Sequence, residues 1–249
     1  MSKVKAVILA AGKGKRLHSE EYNLPKVLRE ANDQPLLHYV LEALDFLPRE
    51  DVILVVGYMR DQVTARFSGY TAAVQDPQLG TGHAVQCARE YLKDFQGTVL
   101  VCCGDMPLLE KKTYQALLAE HEKNHCPCTF LTGTSDLELP YGRILRDENG
   151  AFVRVVEDKD CTPEQKAITE LNAGVYAFDC QELLACLSLL KNDNAQQEYY
   201  LTDVPELMRQ RGGRIGLCQV ELGAQIIGVN TPEQLQMVED YLKEREISG

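Results

Sequence analysis

Three stretches of this chain hold residues whose types and spacing suit phosphate chemistry. Leu9-Ala-Ala-Gly-Lys-Gly-Lys-Arg16 follows the apolar run Val4–Leu9, and Leu24-Pro25-Lys26 comes soon after. A strand that ends in a glycine-rich turn lets backbone N–H groups converge on an anion, and Lys15, Arg16 and Lys26 would neutralise its charge. Gln75-Asp-Pro-Gln78-Leu-Gly80-Thr81-Gly82-His83 sets two glutamine amides beside two glycines that flank a hydroxyl. Such amides can pair with the edge of a base, and glycine lets a flat base approach the backbone. Thr81 is also expected to cap a helix here. Gly104-Asp105-Met106-Pro107 puts a carboxylate at the end of an apolar strand, where it can hold Mg²⁺ against phosphates. Asn230, in Gly228-Val-Asn230, could give a neutral oxygen to the same ion. Taken singly, each stretch is also ordinary turn chemistry with solvated side chains.

Two familiar phosphate loops are excluded by spacing. A Walker loop needs four residues between its first glycine and Gly-Lys-Ser/Thr, whereas Gly12 and Gly14 are one residue apart and Lys15 precedes Arg16. The dinucleotide fingerprint needs a third glycine where Leu17 stands. Composition narrows the rest. The 249 residues can bury a full core, and 26 basic against 37 acidic residues give a net charge of −11. That balance argues against a nucleic-acid surface, so any nucleotide site must gather its positive charge locally. No apolar run reaches membrane-spanning length and no signal peptide leads the chain. Nine cysteines then imply reduced thiols and a cytoplasmic setting. His121, His125, Cys126 and Cys128 fall close together, but without a paired Cys-x-x-Cys they suit a helix end and a following strand better than a metal.

The elements that must position these residues alternate. Strands are expected at 4–9, 52–56, 71–75, 98–102 and 128–133, with helices near 34–46, 59–67, 82–94 and 110–124. That alternation predicts an α/β protein, with a mostly parallel sheet covered by helices and the ligand at the carboxyl ends of the strands. Beyond residue 135 the pattern changes. Arg143–Arg146 and Val153–Val156, joined by Asp147-Glu148-Asn149-Gly150, predict a hairpin. Gly174–Phe178 is a further strand. Thr202 is placed to cap a helix that runs to Arg211, and Thr231 with Pro232 to open a last helix that ends near Glu246. Residues 1–135 would thus form a nucleotide-binding half and 136–249 a more antiparallel half for a second substrate, within one domain. Tyr141-Gly142-Arg143, Glu157-Asp-Lys-Asp160 and Asn172-Ala-Gly174 offer groups suited to sugar hydroxyls.

As a set, LAAGKGKR…LPKVL, QDPQLGTGHAV, CCGDMPLL, PYGRILRD, VVEDKD, ELNAGVYAF, EYYLTD and IIGVN occur in the order of a known family. The chain resembles the N-acetylglucosamine-1-phosphate uridylyltransferase domain, the N-terminal half of a bifunctional bacterial enzyme that also acetylates glucosamine 1-phosphate. The resemblance implies a Rossmann-like nucleotide-diphospho-sugar transferase fold with a smaller antiparallel sugar-binding lobe, and a Mg²⁺-dependent reaction between UTP and N-acetylglucosamine 1-phosphate. By the same resemblance, Ala10, Ala11, Gly12, Gln75, Gln78, Gly80 and Thr81 would contact the uridine nucleotide. Arg16 and Lys26 would bind the triphosphate, and Asp105 and Asn230 would hold Mg²⁺. Gly142, Glu157, Asn172 and the segment Tyr199–Thr202 would hold the amino sugar.

The chain departs from that pattern in four ways. Lys15 stands where threonine is usual, about three extra residues lengthen the loop between Arg16 and Pro25, and Cys103 replaces a tyrosine. No hexapeptide-repeat segment follows, so the left-handed β-helix acetyltransferase half, which makes the trimer in such relatives, is not expected, and a monomer is the default. Other readings stay open: a pyrophosphorylase for another sugar 1-phosphate or base, a molybdopterin cytidylyl- or guanylyltransferase, or a silent nucleotide-sugar sensor.

Overall fold

The computed structural model describes residues 3–134 and 139–248. The expected boundary between halves, at 135 and 136, falls among residues 135–138, outside the described residues. The strands are β1 (Val4–Ala10), β2 (Glu30–Ala31), β3 (Gln34–Pro35), β4 (Val52–Val56), β5 (Thr71–Val74), β6 (Thr98–Cys103), β7 (Cys128–Thr134), β8 (Arg143–Arg146), β9 (Phe152–Val156), β10 (Glu170–Asp179) and β11 (Ile215–Gln219). The helices are α1 (Leu36–Ala43), α2 (Arg60–Arg66), α3 (Thr81–Cys87), α4 (Arg89–Leu92), α5 (Lys111–Asn124), α6 (Pro163–Lys166), α7 (Cys180–Leu187), α8 (Asp203–Gln210) and α9 (Pro232–Ser248).

The main sheet runs β11-β7-β10-β6-β1-β4-β5. The pairs β6-β1, β1-β4, β4-β5 and β11-β7 are parallel, and β10 lies antiparallel between β6 and β7. The β8-β9 hairpin hangs from β10 by Leu171 opposite Arg143. This is the expected α/β architecture, with one addition. The hairpin of the second half continues the same sheet rather than starting another.

Side-chain period decides how the layers form. Along β1, Ala6, Ile8 and Ala10 pack on one face with Leu37, Val40 and Leu44 around α1 and with Tyr114 and Leu117 of α5. Val7 packs on the other face with Ala84 and Val85 of α3, Leu183 and Leu187 of α7, and Val204 and Met208 of α8. Alternating residues of a strand point to opposite faces, so a continuous apolar run feeds both layers. A ladder of aromatic contacts, Phe152–Phe130–Tyr176–Phe178, with ring centroids 5.4 Å apart at each step, fills the second layer under the hairpin.

The structure corrects several expected elements. The helix expected at 82–94 is two, α3 and α4, which meet at Ala88, and that expected at 34–46 is only Leu36–Ala43. The strand expected from Gly174 begins four residues earlier, at Glu170. Its register against β7 shifts between Asn172 and Tyr176, and Gly174 sits there at φ +71°. A bulge breaks period-2 alternation, so the first part of the strand is hidden from a pattern search. β11 and the β2-β3 hairpin, turned by Asn32 and Asp33 at positive φ, were not expected. Thr231 does open the last helix: Gln234 N donates to its hydroxyl at 3.3 Å, while Gln234 Oε1 accepts from Asn230 N and Thr231 N. Gln in that third helical position completes a reciprocal cap and orients Asn230.

Candidate active site

Two adjoining cavities open over the carboxyl ends of β1 and β6. One, of ≈ 240 Å³, is lined by Ala11, Gly12, Lys26, Gln75, Gln78 and Gly80. The other, of ≈ 180 Å³, is lined by Gly142, Glu157, Asn172, Thr202 and Asn230. Leu9, Thr81, Cys103 and Asp105 line both. Two compartments therefore meet at Asp105. Among the expected residues Ala10, Arg16, Tyr199 and Tyr200 line neither cavity. Ala10 is 1% exposed and its side chain belongs to the core.

A charge cluster stands at the junction. Lys26 Nζ bonds to Asp105 Oδ2 and donates to Asn230 Oδ1 at 2.7 Å, and Arg16 Nη2 donates to the same Asn230 oxygen at 3.1 Å. The stem of Lys26 lies against the glycine turn, its Cδ 4.0 Å from where a Cβ on Gly12 would stand. Gly14 has φ +66°, and a Cβ there would come within 2.5 Å of Ser19 Oγ and 2.9 Å of Lys26 Cβ. Glycine is thus required where the turn folds over the lysine. Lys15 is exposed beside it. The lengthened loop is pinned by Arg29, which donates to Leu17 O at 2.7 Å and lies over the Tyr22 ring at 3.8 Å.

The opposing loop is equally fixed. Val229 N donates to Asp105 O at 2.9 Å, and Asn230 Nδ2 to Gly228 O at 3.1 Å, which aims the amide oxygen at Lys26. Tyr141 clamps the same loop, its hydroxyl donating to Ile226 O and accepting from Gly228 N, each at 2.7 Å. Burial raises the Tyr141 hydroxyl well above its ordinary pKa, so it stays protonated and donates. These oxygens fit a hard divalent cation. A carboxylate and an amide oxygen converge on one positive charge, and substrate phosphates would complete such a sphere. Among the described residues no group of three His, Cys, Asp or Glu could hold a metal alone. His121 Nδ1 instead pairs with Thr129 Oγ1 at 3.1 Å, and His125 takes the left-handed turn that ends α5.

The glutamine-glycine loop is built differently from the expectation. Gln75 is buried, and its Nε2 donates to Gly80 O at 2.8 Å and approaches His83 Nδ1 at 3.2 Å. Burial lowers the His83 pKa, favouring the neutral ring. Thr81 does not cap α3. It is the first helical residue, and its hydroxyl accepts from Leu201 N at 3.0 Å. Tyr199 N donates to Leu79 O at 2.8 Å and Gly82 N to Tyr199 O at 2.7 Å. These bonds strap residues 79–82 to 199–201. A Cβ on Gly80 would stand 2.6 Å from Tyr199 O, and one on Gly82 2.5 Å from Leu190 Cδ1 and 3.0 Å from Tyr199 O. Both glycines admit a backbone segment of the second half, a constraint that the reading of a base approaching glycine overlooked.

Thr202 stands at the expected start of α8 but does not cap it; its hydroxyl donates to Glu157 Oε1 at 2.9 Å. Asn172 lies in the β10 bulge, where its Oδ1 accepts from Gly174 N at 3.1 Å and its Nδ2 donates to the Tyr176 hydroxyl at 2.7 Å. Arg143 is nearly buried. It binds Tyr141 O, Leu139 O and Asp158 Oδ1, and so shapes the turn that carries Gly142. Burial raises the Glu157 pKa, which Asp160, Asp158 and Glu198 raise further and the Thr202 hydroxyl lowers. Asp203 is pushed up to about 6, by burial first and then by Glu206, Glu157 and Asp160.

A model of the MobA-like NTP transferase domain matches residues 6–172, a span that contains the glycine turn, Asp105, Glu157 and Asn172. The chain belongs to that family. It is a nucleotidyltransferase by descent. It is 42% identical over 96% of its length to 52% of the bifunctional protein GlmU of Clostridium novyi. Against the GlmU of Brevibacillus brevis it is 40% identical over 100% of its length and 54% of the relative. It therefore spans about half the length of these curated relatives. A crystal structure described as a glucose-1-phosphate thymidylyltransferase from Bacillus anthracis superposes with a TM-score of 0.75. It is 18% identical, over 96% of this chain and 95% of that one, and the likeness bears on the fold alone.

For this NTP transferase the strap predicts that Gly82→Ala destabilises by about 1–3 kcal/mol in urea unfolding, because overpacking against Leu190 and Tyr199 outweighs a helix-propensity gain of about 1 kcal/mol. Unchanged stability would refute the close approach. Asp203 yields a pH prediction. Its folded pKa lies above the unfolded value of about 3.9, so the native state holds the extra proton between about pH 4 and 6 and loses stability as pH rises through that window. Asp203→Asn should therefore stabilise by about 1 kcal/mol at pH 7.5 and by nothing measurable at pH 4. That figure is discounted for solvent screening and for the lost carboxylate at a helix N-terminus. A stabilisation independent of pH would rule out the carboxylate as its origin.

Proposed function

We propose that the protein transfers UMP from UTP to N-acetylglucosamine 1-phosphate, yielding UDP-N-acetylglucosamine and pyrophosphate. The observation that carries this is the meeting of two cavities at Asp105, with Lys26, Arg16 and Asn230 around the junction. Two phosphate-bearing substrates that enter from opposite sides would bring their reacting groups together there. Similarity to GlmU along the whole chain supports the uridine nucleotide and the amino sugar as the pair.

In this reading a phosphate oxygen of the sugar phosphate attacks the α-phosphorus of UTP. A new P–O bond forms as the bond to the β-phosphate oxygen breaks, and pyrophosphate leaves in line. Ala11, Gly12, Gln75, Gln78, Gly80 and Thr81 hold the nucleotide, Ala10 contributing backbone alone. Gly142, Glu157 and Asn172 hold the sugar, with Glu157 oriented by Thr202. Arg16 and Lys26 bind the phosphates and offset the charge that moves toward pyrophosphate. Asp105 and Asn230 would hold Mg²⁺, which supplies further neutralisation of the triphosphate. Placement and fixed charges suffice for such a transfer, so no nucleophilic side chain is needed. Residues 1–135 would serve chiefly the nucleotide and 136–249 chiefly the sugar, with Asn230 reaching back to the metal.

Release of pyrophosphate over a panel of nucleoside triphosphates and sugar 1-phosphates tests the proposal. Turnover confined to UTP with N-acetylglucosamine 1-phosphate is expected; turnover with another pair reassigns the substrates, and none at all favours a silent sensor. Asp105→Ala should reduce the rate by ~10²–10³-fold or more while the protein stays folded. Full activity in that variant, with Mg²⁺ present, would remove Asp105 from the metal site.

A further inference from the structure

The proposed metal ligands are already engaged by a cation of the chain itself. Asp105 Oδ2 and Asn230 Oδ1 both bond the Lys26 ammonium, with Lys26 and Asp105 side chains only 13% and 18% exposed. The two oxygens are the rigid members of this cluster. Asp105 is tied to Val229 through the backbone, the Asn230 side-chain amide is oriented by its bond to Gly228 O, and the Asn230 backbone N–H is held by Gln234. The ammonium is the movable member, a compact charge on a four-carbon stem. A divalent cation needs the same two oxygen atoms, and an ammonium beside it on shared ligands would be strongly repelled.

Resting on the metal assignment above, we propose that Lys26 is an internal counter-cation at the metal site. It neutralises Asp105 and occupies the Asn230 oxygen, and must be exchanged for the divalent ion. A polyphosphate supplies the exchange. It offers the displaced ammonium a second anion and brings the ion with it. Metal and nucleotide therefore enter as one complex, and the free protein binds the ion poorly. Arg16, on the same Asn230 oxygen, adds to the repulsion of a lone cation.

Direct binding of Mn²⁺, followed by the electron paramagnetic resonance of the free ion, tests this without recourse to turnover. Wild-type protein with Mn²⁺ alone should bind weakly, and Lys26→Met at least tenfold more tightly. The gain should vanish in Lys26→Met/Asp105→Asn. Equal affinity of wild type and Lys26→Met, including no binding by either, overturns the exchange. A gain that survives Asp105→Asn overturns it too, because the ion then sits elsewhere. A separate arm adds UTP to the wild type with Mn²⁺. Absence of joint binding there counts against the uridylyltransferase reading itself, whereas joint binding with no Lys26→Met effect defeats only the exchange. Thermal melts of each variant confirm that the comparison is among folded proteins.

Discussion

The bond set around the Lys26 ammonium joins three parts of the chain that are far apart in sequence: the turn at Lys26–Leu28, the carboxyl end of β6, and the loop that leads into α9. Much of the surrounding structure supports that meeting. Gly14 folds the glycine turn over the lysine stem, Tyr141 clamps the loop before Asn230, and Gln234 holds the Asn230 backbone N–H from the helix side. A cation held by two oxygens in a half-buried cleft gains more from each than it would in water, because solvent screens it less. The same partial burial makes the cluster responsive to any polyphosphate that competes for the lysine.

A second constraint couples the two cavities. The strap between residues 79–82 and 199–201 leaves no room for side chains at Gly80 and Gly82, and it puts Thr81 against Leu201. The next residue, Thr202, holds Glu157. The wall of the nucleotide compartment is thus continuous, through backbone hydrogen bonds and the hydroxyls of Thr81 and Thr202, with the wall of the other. The acidic groups behind Glu157, among them Asp160 and Asp203, make that second wall electrostatically costly, and the Thr202 hydroxyl offsets part of the cost at Glu157.

Local signals made much of this legible. The apolar runs of β1, β4 and β6 are long enough to be strands whatever surrounds them, and Thr231-Pro232 with Gln234 marks a helix start by side-chain chemistry alone. Signals failed where a residue's partner lies far along the chain. Thr81 and Thr202 both have the composition of helix caps, yet each hydroxyl is taken by a distant group. The bulge at Gly174 interrupts the alternation by which β10 would be recognised, and it is also what turns Asn172 toward the cavity. β2 and β3 carry too few residues for a period to emerge, and β11, as long as β4, has Gly216 and Gln219 where β4 is an unbroken apolar run.

The sequence by itself determined the alternation of strands and helices, the glycine turn with its nearby cations, and the order of motifs that identifies a nucleotidyltransferase, because each rests on neighbouring residues or on a recognisable series. Only the tertiary structure decided that Asp105 and Asn230 share one ammonium, that Gly80 and Gly82 accommodate Tyr199, and that Arg143 shapes a turn. Those facts depend on which oxygen stands within bonding distance of which donor. That distance is set by the packing of the sheet and its helices, not by spacing along the chain.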